Sequence, residues 1–299
     1  MTELERERRG RYRVPIAAAC AAAALVLGTA SAGAIDRDAH IYYVEDFDGA
    51  GACGGDDLSW GYDSTDYLRD ATVSWGWASS VLYGNQGTDF QDIADVDEDA
   101  NGADHLSGGF DAADVAMLYS HGGYGGCSTD DAWSSFKMGA ANGNSAAFCT
   151  AFLGTSNAGN DIHWGDTQLN MVIVDTCNSL RKCVANDASY YMGEGNFSLY
   201  LGYHGISWDG SGHTNRFENY VDSSELDGAG DNWVDEMTSR PIGWDNDECA
   251  TAISYGANES DADYTYDFGG LGDWKVPSSH TSSWFYYIGG CNAEGAEEL

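Results

Sequence analysis

The chain has 299 residues, of which 48 are Asp or Glu and 13 are Lys or Arg, giving a formal net charge of −35. A surface this acidic repels polyanions, which excludes nucleic acid and anionic membranes as partners. The composition is 43% hydrophobic and 13% aromatic, so the chain can bury a sizeable core and wholesale disorder is excluded. The charge is typical of halophilic proteins, because dissolved salt screens the repulsion between acidic groups.

The N-terminus has the pattern of an export signal. Five arginines precede an apolar, alanine-rich run that starts at Val14, and Ala30-Ser31-Ala32 offers a small-residue cleavage site. We therefore expect residues 1–32 to be a signal peptide and the mature chain to be secreted or otherwise extracytoplasmic. No later stretch is long and apolar enough to span a bilayer, so we expect no membrane association after signal removal.

The first part of the expected mature chain predicts a strand, a helix and a long loop. His40–Phe47 alternates and is rich in β-forming residues, which predicts the first strand. Asp63–Tyr83 carries apolar residues at mixed helical spacing and predicts one helix. Gln86–Phe110 is polar and acidic and predicts a loop.

The acidic loop contains a candidate calcium site. Asp97, Asp99 and Asn101 stand at alternate positions before Gly102, as in the first half of a calcium-binding loop. The twelfth position is Gly108 instead of the bidentate glutamate that completes such loops. The sequence thus offers calcium as an optional ligand, and no cofactor is required by the chemistry proposed below.

Two apolar runs end in residues that can carry chemistry. Asp114–Ser120 leads into His121 and a glycine pair, and Met171–Asp175 is followed two residues later by Cys177. If both runs are parallel neighbours in one sheet, the imidazole and the thiol emerge at the same edge, which is the arrangement a Cys/His nucleophile pair needs. The intervening chain predicts a glycine-rich loop at 122–126, a helix through 129–138 and an irregular insertion at 142–170.

These motifs resemble those of the caspase, legumain and gingipain superfamily of cysteine peptidases. The histidine precedes the cysteine by 56 residues, and in caspases the separation is about 50. The segment Asp175-Thr176-Cys177-Asn178-Ser179 departs from the caspase pattern Gln-Ala-Cys-x-Gly, so the resemblance is to the superfamily and not to one member. It covers the strand–helix order from about Ala39 to Gly210.

The resemblance implies a fold, a mechanism and site residues. The fold is an α/β, caspase-like three-layer αβα sandwich with a mostly parallel central sheet, formed by residues 33–299 as one domain with loop insertions. The implied activity is that of a cysteine endopeptidase in which the Cys177 thiolate attacks a peptide carbonyl and His121 protonates the departing amine. The backbone N–H groups of Gly122 and Cys177 are implied as the oxyanion hole.

The later chain supplies candidate pocket residues. Phe197–Gly202 predicts a strand that leads to His204, and Trp208 and Asp209 follow; together these three residues are candidates for substrate binding. Surface solvation is the competing explanation for Asp209, because acidic residues are abundant throughout. The remaining elements are predicted as broken helix at 218–237 and strands at 250–255 and 283–288. The histidines show no metal-ligand spacing, so a zinc site is not predicted.

The cysteine count leaves two alternatives for the candidate nucleophile. Of eight cysteines, only Cys20 lies in the predicted signal, so seven remain in an exported chain. If Cys177 is free, six are left for three disulfides. The competing arrangement is a Cys177–Cys183 bridge, which makes the site inert.

Three hypotheses follow, and the state of Cys177 discriminates between them. The first is a secreted endopeptidase acting on peptide or protein substrates. The second is a catalytically inactive protein of the same fold that binds peptides or a partner. The third is an acidic structural surface protein. The sequence leaves the oligomeric state open.

Overall fold

The computed structural model describes residues 35–48, 53–128, 131–139, 149–155, 160–185, 197–239, 247–293 and 296. The predicted signal peptide lies outside the described residues. Within them, no helix has the length and apolar character needed to cross a bilayer.

The described residues form ten strands and four α-helices. The strands are β1 Ile35–Tyr43, β2 Trp77–Gly84, β3 Val115–Tyr119, β4 Gly122–Ser128, β5 Asp131–Lys137, β6 Thr150–Thr155, β7 Met171–Asp175, β8 Leu199–Tyr203, β9 Ala250–Gly256 and β10 Ser282–Tyr287. The helices are α1 Gly61–Ser74, α2 Ser211–Ser223, α3 Ala229–Met237 and α4 Glu259–Phe268.

The central sheet has seven strands in the order β10-β9-β8-β7-β3-β1-β2. The five strands from β2 to β8 are mutually parallel, and β9 is antiparallel to both of its neighbours. Strands β3, β7 and β8 are buried along their whole length. Such strands are covered on both faces, which explains why their sequences are continuous apolar runs without alternation.

Successive residues of each central strand point to opposite faces, so the sheet separates two apolar cores. Ile41, Met117 and Ile173 belong to the core that contacts all four helices of the described chain. Their sequence neighbours Tyr42, Leu118 and Val174 belong to the second core. The second core is covered by the small antiparallel sheet β4-β5-β6 and by irregular segments. The predicted three-layer α/β sandwich with a mostly parallel central sheet is therefore confirmed.

Several predicted elements change type or length. The predicted helix 63–83 ends at Ser74, and its second half is β2. The glycine-rich segment predicted as a loop is β4, and the segment predicted as a helix to Met138 is β5. The predicted irregular insertion contains β6. In each case pairing with another strand decides the conformation, which local propensity does not register.

Among the cysteines whose side chains the structure describes, all but the candidate nucleophile are in disulfides. Disulfides join Cys53 to Cys149 and Cys249 to Cys291, and Cys183 is also disulfide-bonded. Cys177 is a free thiol, so the alternative Cys177–Cys183 bridge is not formed. Disulfides are compatible with a location outside the cytoplasm.

Candidate active site

The strand register aligns the two candidate catalytic residues. Strands β3 and β7 are adjacent and parallel, and their last paired residues are Tyr119 and Asp175. His121 and Cys177 each follow two residues later, so they leave the sheet at the same level of its carboxyl edge. This edge is where parallel α/β sheets bind ligands. The two side chains are both partly exposed there.

Gly122 packs directly against the chain that carries the thiol. A Cβ at this position would lie 2.0 Å from the carbonyl oxygen of Cys177 and 2.6 Å from Oγ1 of Thr176. Gly122 pairs with Phe136 while Lys137 N–H donates to the His121 carbonyl, which identifies a non-hydrogen-bonded antiparallel pair. The N–H of Gly122 therefore points away from β5, as the predicted oxyanion role requires.

The chain turns sharply after the thiol. Asn178 has φ of +56°, in the left-handed region that asparagine tolerates better than most residues. The turn is fixed by backbone and side-chain contacts: Asn178 N–H donates to the Gly205 carbonyl at 2.5 Å, and Ser134 Oγ donates to the Asn178 carbonyl at 2.6 Å. This turn holds Cys177 at the end of β7 between the loop after β8 and strand β5.

The thiol of Cys177 donates a hydrogen bond to the Ser207 carbonyl at 3.4 Å. Burial raises the pKa of this thiol, and the negative charge of Asp175 adds to the increase. The described geometry thus favours the protonated thiol over the thiolate.

The imidazole of His121 contacts the segment between β1 and α1. Its Nε2 lies 2.6 Å from the Asp56 carbonyl oxygen, and its ring packs on Phe47 with centroids 4.8 Å apart. A carbonyl only accepts, so Nε2 carries the proton and Nδ1 is the acceptor of the neutral ring. No hydrogen bond joins this imidazole to the Cys177 thiol in the described structure.

The three candidate substrate-binding residues have different surroundings. His204 is fully buried and its Nδ1 accepts from Lys182 N–H at 3.0 Å, so it does not form an accessible pocket wall. Asp209 accepts from Ser59 N–H, Trp60 N–H and the Tyr119 hydroxyl at 2.8–2.9 Å. These contacts tie Asp209 to the residues just before α1, and its role in substrate binding stays a prediction.

Trp208 is 43% exposed beside the Cys177 loop and remains a candidate surface for a substrate.

The carboxylates of the candidate calcium loop contact the loop itself. Asp99 Oδ1 accepts from the backbone N–H and the side-chain amide of Asn101 at 2.7 and 2.8 Å. Asp97 N–H donates to Asp95 Oδ1 at 2.6 Å. Within the described residues, no group of three or more His, Cys, Asp or Glu side chains is arranged to hold a metal ion. Calcium binding at Asp97, Asp99 and Asn101 stays a prediction.

A buried charged cluster below the thiol was not foreseen from the sequence. Asp175 accepts from His213 Nε2 at 2.8 Å, and His213 Nδ1 lies 2.9 Å from Glu248 Oε1. Glu248 also pairs with Arg216. The histidine is 38 residues from Asp175 and 35 from Glu248 in the chain. No local motif links residues at such separations, and the cluster forms only when β7, α2 and the segment before β9 meet.

Comparisons with known proteins do not identify a family. No protein-family model matches the sequence, and no curated protein matches it. A solved structure of protein GSU0716 from Geobacter sulfurreducens is similar with a TM-score of 0.44 and 9% identity, covering 80% of this chain and 98% of that one. A similarity of this size indicates neither a shared family nor a shared function.

Proposed function

We propose that this protein is a secreted cysteine endopeptidase that uses Cys177 as nucleophile and His121 as acid–base partner. One observation carries the proposal: a free thiol and a histidine follow adjacent parallel strands at the same register, at the carboxyl edge of the sheet. A thiol and an imidazole brought together in this way are the minimal apparatus for acyl transfer. The signal-like N-terminus and the disulfides support export.

The reaction proceeds through a thioester. The thiol proton passes to Nδ1 of His121, the sulfur attacks the peptide carbonyl, and the same imidazole returns the proton to the departing amine. Water then attacks the thioester carbon and releases the acid product and the free thiol. The N–H of Gly122, directed away from β5, stabilises the negative charge on the carbonyl oxygen in each tetrahedral intermediate.

Substrate binding has a defined task in this mechanism. In the described state the thiol donates to Ser207 and the imidazole donates to Asp56. Transfer of the thiol proton therefore requires the Cys177–Ser207 hydrogen bond to break. A substrate backbone lying beside Ser207 and Trp208 would supply replacement contacts and release the sulfur. Catalytic hydrogen bonds are commonly long in unliganded enzymes and tighten in the complex.

The test is labelling by peptides that carry a thiol-reactive group at the carbonyl position, with the residue before that group varied. We expect Cys177 to be labelled in the wild type, labelling to disappear in Cys177→Ala, and its rate to fall strongly in His121→Ala. His163→Ala is a matched control, because His163 is also partly exposed but lies before β7, at the other end of that strand. Measurements at low and high salt separate chemistry from salt-dependent folding. Equal labelling in wild type and His121→Ala would refute the proposal.

A second candidate function is peptide binding without catalysis. It is favoured by the raised pKa of the Cys177 thiol and by the engagement of both candidate catalytic groups with backbone carbonyls. This function predicts that unreactive peptides bind wild type and Cys177→Ala equally and that neither protein cleaves them. Peptide cleavage by the wild type that is lost in Cys177→Ala would support the peptidase and contradict binding without catalysis.

A further inference from the structure

His213 lies between two buried carboxylate groups, and each of its ring nitrogens is within hydrogen-bond distance of one of them. The ring is buried in the first turn of α2, with Nε2 2.8 Å from Asp175 Oδ2 and Nδ1 2.9 Å from Glu248 Oε1. Between two ionised carboxylates, which only accept hydrogen bonds, both ring nitrogens donate, as they do in an imidazolium. Both carboxylates accept further donors, from the Ser207 hydroxyl and from Trp208 N–H respectively, as ionised groups do.

The charges of this cluster balance when the imidazole is protonated. Asp175 and Glu248 supply two negative charges, and His213 and Arg216 supply two positive charges. Buried ions are tolerated when they are paired and hydrogen-bonded in this way. The rings of Tyr119 on β3 and Tyr203 on β8 pack at 6.3 and 5.9 Å from the imidazole and complete its surroundings.

The cluster is connected to the thiol through one short segment. Ser207 Oγ donates to Asp175 at 2.8 Å, while the backbone carbonyl of the same residue accepts from the Cys177 thiol at 3.4 Å. Trp208 N–H donates to Glu248 at 3.0 Å. The two carboxylates that contact His213 therefore also hold Ser207, whose carbonyl contacts the sulfur, and Trp208, the next residue in the chain.

We propose that His213 is a positioning residue for Cys177: as an imidazolium held between Asp175 and Glu248, it fixes the Ser207–Trp208 segment, whose Ser207 carbonyl contacts the thiol, and offsets the negative charge of Asp175. This adds a residue to the site of the proposed function and rests on that function for its catalytic meaning. The effect on the thiol itself is measurable with a small alkylating reagent, whether or not the protein cleaves peptides.

The main test is the pH profile of Cys177 alkylation by iodoacetamide in His213→Gln. Glutamine is neutral, so Asp175 is left uncompensated and the thiolate is disfavoured. We expect the midpoint of the profile to move to higher pH and the rate at pH 7.5 to fall by about three- to tenfold.

His204→Gln is the matched control, because His204 is equally buried but its imidazole contacts Lys182 N–H. It should lower stability without moving the alkylation profile. An unmoved profile in folded His213→Gln, or an equal shift in His204→Gln, would overturn the proposal.

Two measurements keep the proposal testable if His213→Gln fails to fold. Ser207→Ala removes the hydroxyl that links Asp175 to the thiol's neighbour and is expected to shift the alkylation profile in the same direction by a smaller amount. In the wild type, ¹⁵N NMR should show both ring nitrogens of His213 protonated. A neutral tautomer, or an alkylation profile unchanged in Ser207→Ala, would contradict the proposed role. Unaltered peptide cleavage alongside a shifted profile would count against the peptidase and not against the positioning.

Discussion

Replacing Gly122 with alanine tests whether the ends of β3 and β7 are packed as described. The added Cβ would lie 2.0 Å from the Cys177 carbonyl oxygen, 2.6 Å from Thr176 Oγ1 and 2.9 Å from Thr176 Cβ. Real Cβ atoms do not approach neighbours more closely than 3.0 Å. The closest contact involves backbone, so one of the two chains must move by at least about 1 Å.

The size of this shift sets the expected effects. Overpacking of a close-packed site costs about 1–3 kcal/mol of unfolding free energy. A misplacement of about 1 Å between reacting groups lowers catalytic rates on the order of 100-fold. We therefore expect Gly122→Ala to lose about 1–3 kcal/mol in urea unfolding and to react with the peptide probe about 100-fold more slowly.

Gly123→Ala is the control for this prediction. It lies on the same strand, and its Cβ would meet only the Ser135 hydroxyl, at 2.9 Å. A hydroxyl rotates away at little cost, so this variant should unfold and react nearly as the wild type does. If Gly122→Ala matches Gly123→Ala in both measurements, the described contact between Gly122 and Cys177 is wrong.

Three further predictions concern stability and are read from urea unfolding. Burial is the main cause that raises the pKa of Asp104 from 3.8 to about 9. The stabilising contribution of protonated Asp104 to the unfolding free energy is therefore complete below pH 3.8 and is lost as the pH rises towards 9. Asp104→Asn should therefore flatten the fall in stability over this range and stabilise the protein at pH 9 by a few kcal/mol in order of magnitude; an unchanged slope would contradict this. Replacing Cys249 and Cys291 together by serine opens a loop of 42 residues and should cost about 4 kcal/mol, and a loss below about 1 kcal/mol would show that the bridge adds little. Trp164→Phe removes the indole N–H bond to the Ile93 carbonyl at 2.8 Å and should cost about 2–3 kcal/mol, whereas a neutral result would mean that another donor reaches that carbonyl.

The central strands were predictable because burial on both faces leaves a continuous apolar run. Strand β3 is Val-Ala-Met-Leu-Tyr, and β7 is Met-Val-Ile-Val followed by Asp175. Their parallel pairing brings His121 and Cys177 to one edge as expected. The prediction needed only the rule that parallel neighbours end at the same edge.

Strand β5 was predicted wrongly because a polar residue faces its buried side. Ala132, Ser134 and Phe136 are buried in alternation, as in any half-covered strand. The polar Ser134 obscures this apolar alternation in the sequence. It is tolerated at a buried position because its hydroxyl donates to the Asn178 carbonyl in the turn after β7. That partner is 44 residues away, so no local pattern reveals why a serine occupies a core position.

Two of the candidate pocket residues, Asp209 and His204, have contacts that the sequence did not reveal, for a related reason. Asp209 and His204 were selected by their distance in sequence from a strand end, and that distance says nothing about which donors reach them. In the fold, the backbone N–H groups of Ser59 and Trp60, just before α1, donate to Asp209, and His204 is fully buried. The cluster around His213 also forms from residues distant in sequence, which lie on β7, on α2 and in the segment before β9.

The disulfide between Cys53 and Cys149 places opposing demands on how the protein is handled. Both cysteines are partly exposed, and Asp56, which holds the imidazole of His121, lies three residues after Cys53. A reducing agent added to keep Cys177 as a thiol also attacks this bridge by thiol exchange. Preparations kept in strong reductant would then combine an unoxidised sulfur with an unanchored histidine, and preparations without any reductant would retain the anchor but risk an oxidised sulfur.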